Sequence, residues 1–273
     1  MDRLQLDKNA KLTGRVYFKD EVMWLGLSGS GASFTFDGTK LVLKLKGDNI
    51  AVGDNPIDYA RIAVYVDGKR VVDEMIDCAE KEVTVIDRTE SAKSVVEIIK
   101  LSESPMSAVG IEAFAEGSAE ALPEKPLKIE FIGDSITCGY GVDDEDENHQ
   151  FTTATEDVTK AYAYKTAKAL DAEYSMFSAS GYGIVSGYTE GDEPISEQTI
   201  PQFYCSYGFS RGNFAGTAPQ DIPWDFSKYI PQIIVINLGT NDDSYCRDHK
   251  DRQAVFSKLY ADFLAVVREK NPQ

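Results

Sequence analysis

The sequence predicts two folded parts in series: a β-sandwich of the jelly-roll kind, and then a three-layer α/β domain with a parallel sheet. Three observations support this prediction. Apolar and polar residues alternate through residues 1–122, a proline-containing segment follows at residues 123–127, and residues 128–273 mix short apolar runs with helical periodicity. With 273 residues, 42% of them hydrophobic, the chain can form two cores.

The strands of the first part are predicted from period-two patterns that flank turn signals. The stretch SFTFDGTKLVLKLKG, residues 33–47, alternates on both sides of Asp37-Gly38, and RIAVYVDGKRVV, residues 61–72, repeats the device around Asp67-Gly68. Asp-Gly between alternating runs is a strong hairpin signal. Further strands are predicted in EVTVID, SVVEIIKLSE and AVGIEAFAEG. Many short strands with little helical periodicity indicate an antiparallel sandwich.

The pattern changes after LPEKPLK, residues 122–128, in which two prolines predict a short, stiff linker. Three apolar runs then predict strands that are buried on both faces: LKIEFIG, AEYSMFSAS and QIIVINLGT. Two segments with helical spacing, TKAYAYKTAKALDA and QAVFSKLYADFLAVVREK, predict helices. Strands that alternate with helices indicate a parallel sheet covered by helices.

The charge balance excludes several classes of partner. The net charge of −17 argues against a nucleic-acid partner and against docking on anionic lipid, since both need a surplus of Lys and Arg. The first fifteen residues, MDRLQLDKNAKLTGR, lack the apolar region of a signal peptide. We therefore expect a cytoplasmic protein, or a secreted one if a leader was removed. The oligomeric state is not indicated.

No cofactor or metal is expected from the sequence. The four cysteines are scattered without a Cys-x-x-Cys pair, which favours free thiols over a metal site or disulfides. The acidic loop at residues 143–147 lacks the spacing and central glycine of a calcium loop, so a solvated surface is the preferred interpretation.

Small and polar residues follow each of the three predicted parallel strands, at residues 133–135, 180–183 and 239–242. Ligands bind outside the carboxyl ends of such strands. A serine, glycine N–H groups and an asparagine amide suit acyl transfer, in which donors must face a developing oxyanion. Each residue also has a structural alternative: Ser135 as a helix N-cap, Gly183 as a turn residue and Asn241 as a loop-capping amide. Their joint placement favours a catalytic site.

A family resemblance rests on these same segments. GDSI at residues 133–136, then Gly183, then GTND at residues 239–242 resemble the first three sequence blocks of the SGNH, or GDSL-type, hydrolases in order and on matching elements. The first half, with GRVYF, MWLGLSGSGASFTFDGTKLVLKL and VYVDG, resembles the jelly-roll domain of the second family of carbohydrate esterases. Together the two resemblances cover nearly the whole chain.

The resemblance implies a serine esterase that removes acetyl groups from hemicellulose-type oligo- or polysaccharides such as xylan or mannan. Ser135 would be the nucleophile, and an acyl-enzyme would form on it. The backbone N–H groups of Ser135 and Gly183 and the side chain of Asn241 would form the oxyanion hole. The partner is then an acetylated carbohydrate, and neither a metal nor an organic cofactor is implied.

The sequence departs from the family pattern at the catalytic base. SGNH enzymes carry it in a C-terminal block of the Asp-x-x-His kind, whereas this sequence ends in REKNPQ, where a further strand is expected. We therefore interpret the α/β domain as C-terminally incomplete. His149 and His249 do not occupy the family position, so the base is unassigned, with His249 as the better of two weak candidates. Since a serine without a base is a poor nucleophile, we expect weak esterase activity from this chain alone.

Aromatic residues in and near a long loop suggest a sugar-binding surface. The loop at residues 199–226 is rich in aromatics, and long loops in compact domains are often functional. We predict that some of Tyr182, Tyr207 and Trp224 line the acyl or sugar site, although for any single ring packing of the loop against the sheet is the favoured role. GFSRG at residues 208–212 matches a nucleophile elbow but has loop on both sides, so it is rejected.

Two functions remain as alternatives to the acetyl esterase. One is a non-catalytic carbohydrate-binding protein, in which the jelly roll or an inactive cleft holds glycan without hydrolysis. The other is an esterase for small acyl esters, in which the sandwich serves only as a scaffold. Acetate release from acetylated glycans, glycan binding without release, and hydrolysis of simple esters alone would distinguish the three functions.

Overall fold

The computed structural model describes residues 1–53 and 55–273. Nine strands belong to the first part: β1 (Asp2–Leu4), β2 (Lys11–Thr13), β3 (Val16–Lys19), β4 (Val22–Leu25), β5 (Gly31–Gly47), β6 (Ala60–Val66), β7 (Lys69–Ile76), β8 (Glu80–Lys100) and β9 (Val109–Ala121). The second part contributes β10 (Lys128–Gly133), β11 (Glu173–Ser178) and β12 (Ile233–Asn237). The α-helices are α1 (Leu6–Asn9), α2 (Ser135–Cys138), α3 (Tyr162–Ala169), α4 (Thr240–Cys246) and α5 (Lys250–Lys270).

The nine strands of the first part form an antiparallel sheet in the order β3-β4-β9-β5-β8-β6-β7, with β1 added to β9 and β2 added to β5. The strands β5, β8 and β9 are long, with 17, 21 and 13 residues, and their central position lets each of them pair on both sides. Their inward residues form one large apolar core. The antiparallel β class predicted for this part is confirmed.

The hairpin predicted at Asp37-Gly38 is wrong, because β5 runs through it without a turn. A register shift between Gly38 and Lys40 interrupts its pairing with both neighbouring strands. Side chains alternate along a strand, so this bulge moves the buried positions from even numbers, such as Phe36, to odd numbers, such as Leu41. Gly38 lies so close to β9 that a Cβ would be 2.3 Å from the carbonyl oxygen of Glu116.

The second hairpin is confirmed. Strands β6 and β7 pair antiparallel and are joined by Asp67 and Gly68 alone. Both residues have positive φ, 50° and 80°, as a two-residue type I′ turn requires. The same Asp-Gly dipeptide therefore turns the chain at one place and bends a continuous strand at the other.

The second part is a parallel sheet of three strands in the order β11-β10-β12, with β10 in the centre. Residues of β10 point alternately to two cores. Ile129 and Phe131 pack with α3, whereas Ile132 packs in a cluster that contains Phe263 and Val267 of α5. The predicted three-layer α/β class is confirmed. None of the described helices is both long and apolar enough to span a bilayer.

A fully buried arginine joins the two parts. Arg15, which lies between β2 and β3, donates to the carbonyl oxygens of Tyr204 and Ser206 at 2.6 and 2.5 Å, and it faces a carboxylate oxygen of Glu130 on β10 at 3.3 Å. Its guanidinium also stacks 4.4 Å from the ring centre of Phe177. Burial lowers the pKa of Arg15, while the charge of Glu130 opposes this shift. An ionised arginine at this depth depends on all of these acceptors.

Replacing Arg15 with methionine is expected to lower the free energy of unfolding by about 3–5 kcal/mol, because Glu130 would stay buried without its cation. Urea unfolding followed by circular dichroism measures this difference. Arg268→Met is the matched control, since Arg268 is exposed on α5 and its loss should change stability by less than about 0.5 kcal/mol. Equal effects of the two substitutions would contradict the role assigned to Arg15.

Candidate active site

The carboxyl ends of the three parallel strands lie side by side. Gly133 at the end of β10 is in register with Ser178 of β11 on one side and with Asn237 of β12 on the other. The segments that follow these strands therefore meet at one edge of the sheet, where ligands of parallel sheets bind. These are the three segments that the sequence singles out.

Ser135 is the first residue of α2 and is half-buried. Asp134, and not Ser135, is the N-cap: its Oδ1 accepts the N–H of Ile136 at 3.0 Å. The alternative role considered for Ser135, that of a helix N-cap, is therefore wrong. Gly133 permits this sharp strand-to-helix passage, since a Cβ there would lie 2.0 Å from Oγ1 of Thr137.

Asp134 is itself an unusual carboxyl group. It is fully buried, and its Oδ2 has no hydrogen-bond partner within the part of the chain that the structure describes. Burial raises the pKa of Asp134, and the charge of Asp242 adds to the rise, while the N–H of Ile136 opposes it. The hydrogen bond from the N–H of Ile136 fixes the orientation of this buried carboxyl group at the start of α2, next to Ser135.

Asp242 shapes the loop after β11. Its carboxylate accepts three consecutive backbone N–H groups, from Ile184 at 2.9 Å, Val185 at 2.6 Å and Ser186 at 3.2 Å. The loop lies so tightly on this carboxylate that a Cβ at Gly183 would be 2.6 Å from its Oδ2. The requirement for glycine at position 183 thus comes from the carbonyl oxygen of Ser186, 2.2 Å from such a Cβ, together with Asp242. The sequence reasoning missed the role of Asp242, although the residue stands in the third motif.

The structure brings two of the three predicted oxyanion donors into one neighbourhood. Asn241 is buried, and its Nδ2 donates to the carbonyl oxygen of Tyr182 at 2.8 Å, which places the amide against the loop that contains Gly183. The N–H of Gly183 donates to the carbonyl oxygen of Gln198 at 3.2 Å, so that donor is engaged within the protein. Ser135, at the start of α2, has one of the N–H groups that no helical carbonyl can reach.

Neither histidine is hydrogen-bonded to Ser135 within residues 1–53 and 55–273. His149 is exposed, with Nδ1 2.9 Å from a carboxylate oxygen of Asp144. His249 is exposed at the N-cap position of α5, and its backbone N–H donates to the carbonyl oxygen of Cys246. The hydrogen bonds of the described residues therefore assign neither histidine as the base.

The three aromatic candidates lie in different surroundings. Tyr182 is half-buried at the candidate site and packs against Phe209. Trp224 is half-buried, with its ring 5.2 Å from the guanidinium carbon of Arg15. Tyr207 is only 1% exposed, and its hydroxyl donates to the carbonyl oxygen of Trp24 at 2.7 Å. For Tyr207 the prediction is corrected, because the ring packs the long loop against β4.

The rejected motif serine also has a structural role. Ser210 lies in irregular backbone, and its hydroxyl donates to the carbonyl oxygen of Met106 at 3.2 Å. No strand or helix immediately flanks it in the described chain, so the geometry of a nucleophile elbow is not met.

A second group of ionisable side chains lies buried next to the site. Glu103, Cys138 and Glu156 each place one potential ligand atom within 4.8 Å of the other two, and all three are fully buried. All four cysteines are free thiols. The sequence reasoning did not anticipate this group, because its members come from three separate segments.

Sequence comparison identifies the family. The profile of the GDSL-like lipase/acylhydrolase family matches residues 129–273, more than half of the chain. The chain belongs to this family. The profile described as carbohydrate esterase 2 N-terminal matches residues 12–126, so the resemblance to family two carbohydrate esterases predicted from the sequence is confirmed.

Two curated relatives of this GDSL-family chain are themselves esterases by name. A cellulase/esterase, CelE, of Acetivibrio thermocellus is 31% identical over 248 residues, which cover 90% of this chain and 27% of that protein. An acetylxylan esterase / glucomannan deacetylase of Cellvibrio japonicus is 28% identical over 274 residues, 98% of this chain and 70% of that protein. The chain thus spans only about a quarter of the length of the first relative.

Solved structures show the same two-part fold as this GDSL-family chain. A family two carbohydrate esterase from Clostridium thermocellum, solved in complex with cellohexaose, has a TM-score of 0.78 at 27% identity, over 96% of this chain and 74% of that chain. A family two carbohydrate esterase from Cellvibrio japonicus has a TM-score of 0.82 at 24% identity, over 98% of this chain and 75% of that chain. The predicted fold class is confirmed.

Replacing Asp242 with asparagine is expected to destabilise the protein by about 1–3 kcal/mol. The amide N–H₂ would replace Oδ2, which now accepts the N–H of Ile184 at 2.9 Å, and the bonds to Oδ1 would lose the assistance of the negative charge. Urea unfolding measures the loss. Asp243→Asn is the matched control on the same helix, where the side chain is exposed. A control variant as unstable as Asp242→Asn would show that the loop does not depend on the buried carboxylate.

Proposed function

We propose that this chain is a carbohydrate esterase that removes acetyl groups from hemicellulose-type glycans, with Ser135 as the nucleophile. One observation carries the proposal: Ser135 follows the central strand β10, while Asn241 and the Tyr182–Gly183 loop, which contact each other, follow the two flanking strands. The names of the relatives, an acetylxylan esterase / glucomannan deacetylase and a cellulase/esterase, support the same class of substrate.

The chemistry would proceed through an acyl-enzyme. The Ser135 hydroxyl attacks the acetyl carbonyl carbon, and the resulting oxyanion accepts hydrogen bonds from donors at the same edge of the sheet. The N–H of Ser135 and the second N–H of the Asn241 amide would serve as such donors. Gly183 would join them by exchanging its 3.2 Å bond to Gln198 for one to the oxyanion. When the tetrahedral intermediate collapses, the bond from the acetyl carbon to the sugar oxygen breaks, and that oxygen takes up the proton that Ser135 lost. Water then hydrolyses the acyl-enzyme, which releases acetate and restores the Ser135 hydroxyl.

The attack requires a base for the Ser135 proton. Neither His149 nor His249 is assigned to that role, because their hydrogen bonds are to other residues. The oxyanion donors and the bound substrate would still provide some rate enhancement over water.

Replacing Ser135 with alanine is expected to lower acetate release from acetylated xylan or glucomannan by at least about 10³-fold, or to the uncatalysed rate, because the acyl-enzyme cannot form. An enzymatic acetate assay measures this change. Ser210→Ala is the matched control: it removes the serine of the other motif, and the rate is expected to stay within about two-fold of the native rate.

Each other outcome of these assays has a definite meaning. Acetate release that survives Ser135→Ala would refute the nucleophile. Hydrolysis of a simple aryl acetate, without acetate from acetylated glycans, would identify an esterase for small acyl esters. Calorimetric binding of cellohexaose without acetate release would identify a carbohydrate-binding protein.

A further inference from the structure

Two glutamates lie fully buried against the candidate site. Glu103 belongs to the segment between β8 and β9 of the first part, whereas Glu156 belongs to the loop between α2 and α3 of the second. Cys138, the last residue of α2, lies between them, with its sulfur 3.6 Å from the carbonyl oxygen of Ser135 and 3.3 Å from Oγ of Ser180. Cys138 thus lies between the two carboxyl groups and the segments that contain Ser135 and Ser180.

The hydrogen bonds of the two carboxyl groups form a chain that leads to the loop after β11. Oε2 of Glu103 accepts the backbone N–H of Ser180 at 2.6 Å, three residues before Gly183. Oε2 of Glu156 accepts the backbone N–H of Glu103 at 3.0 Å. Oε1 of each glutamate is buried without a partner among the described residues. A buried oxygen of this kind is satisfied either when it is itself protonated or when a neighbouring group donates a hydrogen bond to it.

The positive charge nearby does not neutralise both carboxylates. Lys100 is fully buried, but its Nζ donates to the carbonyl oxygens of Ser102 and Glu103, at 2.7 and 3.0 Å, and not to a carboxylate. Burial lowers the pKa of Lys100 to about 8, while the charge of Glu156 opposes this shift. One ammonium therefore faces two carboxyl groups in a site without solvent.

A third buried carboxyl group, that of Asp48, also acts on Lys100, so the ammonium is not available to the two glutamates alone. The other ionisable groups that act on the pair are the Cys138 thiol, the phenols of Tyr140 and Tyr182, and the exposed Arg211. Burial raises the pKa of the Cys138 thiol well above its ordinary value, so it adds no charge at neutral pH. Two carboxylates so close together cannot both ionise cheaply in a low-dielectric interior.

We propose that Glu103 and Glu156 keep one proton between them at neutral pH and serve as a positioning pair for the esterase site. Through the Ser180 N–H, the pair holds the loop that carries Gly183 beside Ser135. The first part of the chain thereby contributes a residue to the geometry of the active site in the second. The effect of the pair on acetate release rests on the proposed function, whereas the sharing of a proton between the two glutamates does not.

The pH dependence follows from the same groups. Burial raises the pKa of Glu103, and burial together with the Glu103 charge raises the pKa of Glu156 well above its ordinary value. A carboxyl group with a raised pKa in the folded state stabilises that state most when it is protonated. The contribution is therefore complete at low pH and is lost as the pH rises through the pKa of the pair.

Infrared titration of the full chain tests the shared proton without reference to activity. The carbonyl band of a protonated carboxyl group is expected to persist well above pH 4.3, near which an ordinary glutamate ionises, and to survive at about pH 7. In Glu156→Gln the amide supplies the missing donor, so the contribution of the pair to this band is expected to disappear at neutral pH, whereas any contribution from the buried Asp134 would remain. Glu120→Gln, at an exposed glutamate of β9, is the matched control and should leave the band unchanged.

Kinetics test the positioning role. Glu103→Ala removes the acceptor of the Ser180 N–H and is expected to lower kcat for acetate release by about 10–100-fold, with a smaller change in KM, as loop displacement near 1 Å would do. Glu103→Gln keeps an oxygen that accepts this N–H and is expected to restore kcat to within a few-fold of native. If Glu103→Ala does not fold, the pH dependence of kcat is compared among native protein, Glu103→Gln and Glu156→Gln. Only the native kcat is expected to fall at alkaline pH, because only the native pair has the shared proton to lose.

The outcomes separate this inference from the proposed function. An acid carbonyl band at pH 7 in a protein that releases no acetate would refute only the esterase. Active protein without such a band, or with the same band in Glu156→Gln, would overturn the shared proton. Stoichiometric zinc that Glu156→Gln releases would also overturn it, because Glu103, Cys138 and Glu156 would then be ionised metal ligands.

Discussion

The buried guanidinium of Arg15 is the contact on which the arrangement of this chain depends. Arg15 comes from the antiparallel part, and its acceptors are Glu130 on the central parallel strand and the carbonyl groups of Tyr204 and Ser206 in the long loop. Glu130 stands five residues before Ser135 on the strand that leads to it. A charge at this depth tolerates little displacement, so it fixes the antiparallel part on the strand that presents the candidate nucleophile.

Further contacts near this arginine show that the antiparallel part supports loops of the α/β part. Tyr207 packs the long loop against the first part by donating to the carbonyl oxygen of Trp24. Glu103, from the segment that joins β8 to β9, accepts the N–H of Ser180 next to the candidate site. The loop that carries the aromatic residues and the loop that carries Gly183 are thus both held from the first part. Loss of that part would be expected to disturb the site even if the parallel sheet folded.

The candidate site shows which parts of a motif can be predicted from sequence. Ser135, Gly183 and Asn241 stand at strand ends, and strand ends follow from local apolar runs, so their common edge was predictable. The role of Asp242 was not, because its three acceptor contacts are to residues 184–186, which are distant in sequence. The same holds for Glu103 and Glu156, since nothing in their local sequence shows that they meet.

The sequence by itself determined the period-two pattern of the first part, the buried strands and helices of the second, and the order of the motif residues. These features depend on contacts between near neighbours, which leave a periodic record in the sequence. Only the tertiary structure decided that Asp67-Gly68 turns the chain while Asp37-Gly38 does not. Gly38 lies on a strand that pairs on both sides, with Ala92 and with Gly117, and these long-range hydrogen bonds hold the backbone extended against its local turn preference.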